Sequence, residues 1–168
     1  MNTLRVINVF IAIVYLLAGT TRAHPAGEVW AWGYNLHGQL GDNTTTDRHE
    51  PVQTHNLTDV IAIAGGYYHS LALKSDGTVW AWGRNVYGQL GDSTITERHE
   101  PVQTHNLTDV IAIAAGGYHS LALKSNGTVW AWGFNGLGQL GDNTTTDRHV
   151  PVQTHNLTDV IAIAAGGY

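Results

Sequence analysis

Histidine stands directly before serine twice, at His69-Ser70 and His119-Ser120. A base beside a hydroxyl is the first chemistry such a pair suggests. Both pairs sit in alternating stretches such as Tyr118 to Lys124, with Leu121 and Leu123 on one face. Adjacent strand residues point to opposite faces, so a His cannot hydrogen-bond to the Ser that follows it. Two other series, His49/His99/His149 and His55/His105/His155, carry a metal-binding side chain. Six residues separate them within a copy, and nothing gathers them into one coordination shell. Asp42 with Asp47, and Asp142 with Asp147, bracket threonine-rich loops that could hold calcium; turn-forming Asp and Asn is the commoner explanation. Asn-x-Thr sequons begin at Asn43, Asn56, Asn106, Asn126, Asn143 and Asn156, which are glycan acceptors in a glycosylating cell and turn residues otherwise. No nucleophile or acid–base constellation emerges, so the chain reads as a non-enzyme with no cofactor and no metal.

The elements behind these residues repeat. Val-Trp-Ala-Trp-Gly occurs at Val29 to Gly33, Val79 to Gly83 and Val129 to Gly133, a step of fifty each time. That divides the chain into units 27–76, 77–126 and 127–168, and a period of this length marks a solenoid, propeller or array. Val110 to Ala115 reads as an apolar strand, broken by Gly116-Gly117 and followed by the strand Tyr118 to Lys124. Ser125-Asn126-Gly127 reads as a hairpin with a type I′ turn, and Thr128 to Trp132 as a third strand. Pro151 suits the start of an outer edge strand because it cannot donate to a ladder. Four antiparallel strands per unit make one propeller blade. Ala112, Ala114, Ala115, Gly116 and Gly117 are small enough for the crowded axis, while Trp80 and Trp82 fill the wedge between blades.

The fold class is therefore all-β: a partial β-propeller of four-stranded antiparallel blades, preceded by a signal peptide. Leu57 to Asn106 and Leu107 to Asn156 make two full blades, Gly27 to Asn56 an outer half, and Leu157 to Tyr168 an innermost strand. Residues 1–23 form the expected signal peptide: Arg5, then an apolar Val6 to Ala18 too short to span a bilayer, then a polar exit with cleavage after Ala23. Localisation is then secreted or cell surface, with no membrane association after removal. Net charge is -5 with no basic run, which argues against nucleic acid. The absence of Cys rules out disulfides and thiol chemistry.

Two motifs at fixed spacing carry a family resemblance. Trp-Gly-x-Asn-x-x-Gly-Gln-Leu-Gly stands at Trp32 to Gly41, Trp82 to Gly91 and Trp132 to Gly141. A companion stands as Gly66-Tyr67-Tyr68-His69-Ser70-Leu71-Ala72-Leu73 and Gly116-Gly117-Tyr118-His119-Ser120-Leu121-Ala122-Leu123. On these the chain closely resembles the regulator of chromosome condensation repeat family over Gly27 to Tyr168. The resemblance implies a propeller, normally of about seven blades; with far fewer here, the chain looks like the front of a longer array, a truncated gene or an incomplete assembly of blades. It also suggests guanine-nucleotide exchange, which needs a cytosolic GTPase and conflicts with export. An exported array of these repeats is similar, too, to the propeller-type inhibitor of β-lactamases, so enzyme inhibition is the other alternative.

Units 27–76 and 77–126 differ at ten positions, and three of these fall in the loop after the Trp pair. The loops read Tyr34, Leu36 and His37, then Arg84, Val86 and Tyr87, then Phe134, Gly136 and Leu137. A constant frame with varied loops is how repeat proteins present a binding face. The expected site is therefore Tyr34, Leu36, His37, Arg84, Val86, Tyr87, Phe134 and Leu137, with a protein or glycan as partner. Open blade edges would also allow self-association.

Overall fold

The computed structural model describes Phe10–Val14 and residues 27–167. Eleven strands run in order: β1 (Phe10–Val14), β2 (Val29–Gly33), β3 (Arg48–Gln53), β4 (Val60–Gly65), β5 (His69–Lys74), β6 (Val79–Gly83), β7 (Arg98–Gln103), β8 (Val110–Ala115), β9 (His119–Lys124), β10 (Val129–Gly133) and β11 (Arg148–Gln153). They form two four-stranded antiparallel sheets, β4-β5-β6-β7 and β8-β9-β10-β11, and one three-stranded sheet, β1-β2-β3. No described residue is helical. The expected blades are thus present, with the proline strand at the edge, though it begins at Arg148 and Pro151 is its fourth residue rather than its start.

Alternation sorts each middle strand onto two interfaces. Ala72 and Trp82 are buried toward the first sheet with Val29, Leu57 and Val60, and Trp80 packs beside them. Leu71, Leu73, Val79 and Ala81 face the third sheet and meet Ala122, Trp132, Leu107 and Val110. Burying a large apolar side chain contributes roughly 1.5–3 kcal/mol, so these two seams hold the sheets together.

Three details differ from the sequence reading. The turn at Ser125-Asn126-Gly127 is not type I′, because Gly127 alone has positive φ, +77°. Gly127 N–H donates to Lys124 C=O, and Asn126 Oδ1 accepts from both the backbone N–H and the hydroxyl of Thr128. That is a type I turn closed by a left-handed glycine, stabilised from the Asn side chain. Second, the first sheet has three strands. β1 pairs with β2 from Phe10↔Gly33 to Val14↔Val29, the same register in which β5 meets β6 from His69↔Gly83 to Leu73↔Val79. An unpaired strand edge recruits a partner for its backbone groups. The rest of the expected signal peptide lies outside the described residues. Third, the stretch from Leu157 follows the inner path without becoming a strand. Val160 N–H still donates to Gly127 C=O, and Gly117 N–H to Gly167 C=O, but no described strand lies beside it.

Candidate functional site

Each blade ends its third strand in a loop built identically three times. Gly33, Gly83 and Gly133 turn the chain at φ of +105°, +103° and +101°. A Cβ on Gly83 would lie 2.4 Å from Tyr68 C=O, so only glycine passes here. Asn35, Asn85 and Asn135 are fully buried. Asn85 Nδ2 lies 3.0–3.3 Å from Asp92 Oδ1, Thr94 C=O, Thr94 Oγ1 and Thr96 C=O, and its Oδ1 accepts from Leu90 N–H. The invariant Asn of each copy is therefore the hub of its loop.

The Asp residues weighed for calcium are taken up by the same frame. Asp42 Oδ1 accepts from Asn35 and Thr44, and its Oδ2 binds the Arg48 guanidinium at 2.6–2.7 Å. Asp47 Oδ1 caps Asn35 N–H. Burial raises the Asp142 pKa, but the Thr144, Arg148 and Asn135 donors outweigh it and hold the carboxyl at about 2. Asp42 and Asp92 are lowered by the same balance. The groups of histidines and carboxylates among the described residues form no metal-binding cluster.

The His and Ser pairs find each other across blades rather than along a strand. His69 Nε2 lies 3.0 Å from Ser120 Oγ, which donates to Gln89 C=O at 2.8 Å. The hydroxyl proton being committed, Nε2–H is the donor and Nδ1 is bare; it is buried with no hydrogen-bond partner. Burial, with His119 nearby, lowers the His69 pKa to about 3, so the ring stays neutral. Trp132 Nε1 donates to the same Gln89 C=O, as Trp82 Nε1 and Ser70 Oγ donate to Gln39 C=O. Ser120 is wholly buried with its proton donated to a carbonyl. This is a structural seam and not a nucleophile.

The variable residues gather at one end of the sheets. Loops entered from β2, β6 and β10 and the β4–β5 and β8–β9 turns share that end by antiparallel alternation. Arg84 N–H donates to Tyr68 C=O and Phe134 N–H to Tyr118 C=O. The rings then form a continuous run. Tyr34 and His37 meet Tyr68 at 6.3 and 5.2 Å, Tyr87 meets Tyr118 at 5.6 Å, and Tyr87 meets Phe134 at 5.0 Å. Arg84 Cζ lies 5.6 Å from the Tyr68 ring and 5.8 Å from Tyr118, bridging the two halves. His37 Nδ1 also pairs with Glu97 at 2.9 Å. Leu36, Val86 and Leu137 are 58%, 42% and 75% exposed on the same loops. Five of the eight expected residues are thus in one aromatic run, and three project beside it. Tyr68 and Tyr118 were missed because variation between copies was the criterion and they do not vary; Tyr67, which packs on Tyr118 at 5.5 Å, does vary but lies outside the loop after the Trp pair to which the search was confined. Their signal was position: each ends a glycine turn at the loop end of its blade.

The regulator of chromosome condensation (RCC1) repeat matches residues 26–73, 76–123 and 126–168, and a second form of it matches 60–89 and 110–139. The chain belongs to the regulator of chromosome condensation repeat family. Among solved structures, it is similar to Prp20p of Saccharomyces cerevisiae, with 25% identity and a TM-score of 0.75 over 84% of this chain and 38% of Prp20p. That structure was described with the binding of Prp20p to Gsp1p and histones. Yeast RCC1 (Prp20) bound to Kap60 matches at 26% identity and TM-score 0.73, over 83% of this chain and 36% of that one. Human WBSCR16 matches at 24% identity and TM-score 0.73, covering 83% and 38%, which speaks for the fold. This regulator-of-chromosome-condensation-type chain spans little more than a third of the length of these structures.

Proposed function

We propose that this chain is an exported, non-catalytic binding module whose loop face receives a protein partner. The observation that carries the reading is the unbroken ring run from His37 through Tyr68, Arg84, Tyr118 and Tyr87 to Phe134. Aromatic residues and Arg most often dominate binding energy at protein interfaces. A protein suits the face better than a glycan, because most of these rings meet edge-on or tilted rather than lying flat as a sugar platform. The protein partners of Prp20p on a similar propeller support the same direction. Nucleic acid fits poorly with a net charge of -5. A photoreactive phenylalanine in place of Val86 or Leu137 tests the reading on the exported protein. Both positions should crosslink one common partner, while the exposed Thr58, at the opposite end of the sheets, should not. Equal labelling at all three would overturn it.

Export rests on the apolar stretch Val6 to Ala18 and the small residue Ala23. No described helix is long and apolar enough to cross a membrane. The secreted product should begin at His24 by mass, and one retaining Phe10 would contradict cleavage after Ala23.

Self-association follows from an open seam. Leu57 and Leu107 are 3% and 1% exposed, while their equivalent Leu157 is 40% exposed. Loss of the leader would also free the β2 edge. A second copy seated head to tail would cover both. Sedimentation of the chain from His24 should therefore show concentration-dependent association, and a stable monomer at micromolar concentration would exclude it.

A further inference from the structure

We propose that Arg84, whose guanidinium lies against the rings of Tyr68 and Tyr118, is the receptor for a single carboxylate, an Asp or Glu side chain of the protein partner. The proposal rests on the binding face described above and names its chemical centre.

Three observations converge on Arg84. Arg48, Arg98 and Arg148 each hold an aspartate at 2.6–2.8 Å. Arg84 is the one described arginine without such a partner, and its buried Nε has no hydrogen-bond acceptor. With Nε closed off, the terminal Nη1/Nη2 edge of the guanidinium is the one an incoming carboxylate can meet. The side chain is also held in place: its Cζ stands 5.6 and 5.8 Å from two rings, and its backbone N–H is tied to Tyr68 C=O. Little rotamer freedom remains to be lost on binding. Finally, the equivalent positions are Tyr34 and Phe134, so one copy alone places a cation on an otherwise apolar run.

The chemistry of the site selects the ligand. A guanidinium edge matches the planar, two-oxygen carboxylate in a bidentate pair. A dianionic phosphate would bring two charges into an aromatic cradle that supplies one cation, and the uncompensated charge would be costly to desolvate. Glu97, the loop's own acid, is engaged by His37 Nδ1 and leaves the place open. The partner's carboxylate would be flanked by apolar side chains lying on Tyr87 and Phe134.

The arginine Nε–H resonances of the full chain provide the test, with sodium acetate as the probe. Acetate should shift the Arg84 signal saturably and leave those of Arg48, Arg98 and Arg148 unmoved; Arg84→Gln identifies the signal by its loss. With a short peptide carrying one Asp between two Leu, Arg84→Gln should raise Kd by about tenfold or more, the scale of a lost charge-assisted hydrogen bond. Arg84→Lys should lose part of the affinity while keeping the amide spectrum of the fold. Equal responses to acetate and chloride would overturn the proposal. Tighter, saturable binding of inorganic phosphate would overturn it in favour of a phosphate site. If Val86 crosslinks a partner whose affinity Arg84→Gln does not change, the carboxylate site fails and the binding face stands. If acetate and the peptide bind but no partner crosslinks, the face reading fails and the anion site stands.

Discussion

Asn85 is fully buried and its amide is shared among acceptors from Asp92, Thr94 and Thr96. Arg84, the residue before it, leaves its Nε without an acceptor while its guanidinium lies against two rings. Two neighbours in one loop thus divide the work: one residue, identical in all copies, builds the loop, and the other, different in each, is what the loop displays. Repetition of the first makes variation of the second harmless to the fold. The contrast can be broken from either side. Asn85→Leu keeps the branching of the side chain but strands Leu90 N–H and the Thr94 and Thr96 carbonyls in the interior. It should cost about 3–5 kcal/mol by urea denaturation, in the range of a broken buried polar network. Arg84→Gln should cost under ~1 kcal/mol by the same measurement. Equal losses would mean that Arg84 belongs to the frame.

The seam between blades separates framework from display by pH. His69 has a folded pKa of about 3 against an ordinary 6.5, lowered by burial and then by His119. His119 is lowered by burial as well. A depressed folded pKa gives stability that is complete above pH 6.5 and is lost as pH falls toward 3, because the unfolded chain takes up the proton first. Between pH 6.5 and about 5 the loop aspartates are still ionised in both states, since their unfolded value is 3.8 and their folded value is lower. The slope in that window therefore belongs to the histidines, at most ~1.4 kcal/mol per pH unit for each proton. His69→Gln should flatten it. An unchanged slope would remove His69 as its source.

Much of this division was legible in the sequence. The fifty-residue step, the alternation in Leu121 to Leu123 and the Trp pair were enough for blades, because period and pleat are local properties. The loop residues were found by comparing copies, since a constant frame leaves variation only where side chains are displayed. What escaped was non-local. The His69–Ser120 bond joins residues 51 positions apart, so nearest-neighbour geometry could exclude His119–Ser120 but not foresee the bond across the seam. Tyr68 and Tyr118 reach the face from a different turn than the variable residues. The pairing of β1 with β2 arises from an edge that the repeat pattern leaves open, and β1 itself carries no trace of the repeat.

The two ends of the Trp series sharpen the seam further. Trp132 is fully buried and donates to Gln89 C=O at 2.9 Å, whereas Trp32 is only half-buried and no described residue accepts its indole N–H. Trp132→Phe removes a buried hydrogen bond and some apolar contact, for an expected loss of about 1–2 kcal/mol. Trp32→Phe should lose clearly less by thermal or urea unfolding. If the two match, the hydrogen bond to the preceding loop contributes nothing measurable and ring burial alone accounts for the seam.

The smallest effect expected is at the displayed tips. Val86 and Leu137 are 42% and 75% exposed, and the same positions carry different residues in other copies. Exposed side chains away from caps and networks change stability by no more than ~0.5 kcal/mol each. The double change Val86→Ser with Leu137→Ser should therefore unfold within ~1 kcal/mol of the parent and keep its amide spectrum outside the two loops. Each loop is held from below by its buried Asn and by a Gln: Tyr87 N–H and Leu137 N–H donate to Gln89 Oε1 and Gln139 Oε1 whatever side chain they carry. Because the backbone contacts do not pass through the altered side chains, the frame has no reason to move. A loss of several kcal/mol, or loop-wide shifts reaching Asn85 and Asn135, would show that these tips are packed into the fold, and the division between frame and display would fail where it is drawn most sharply.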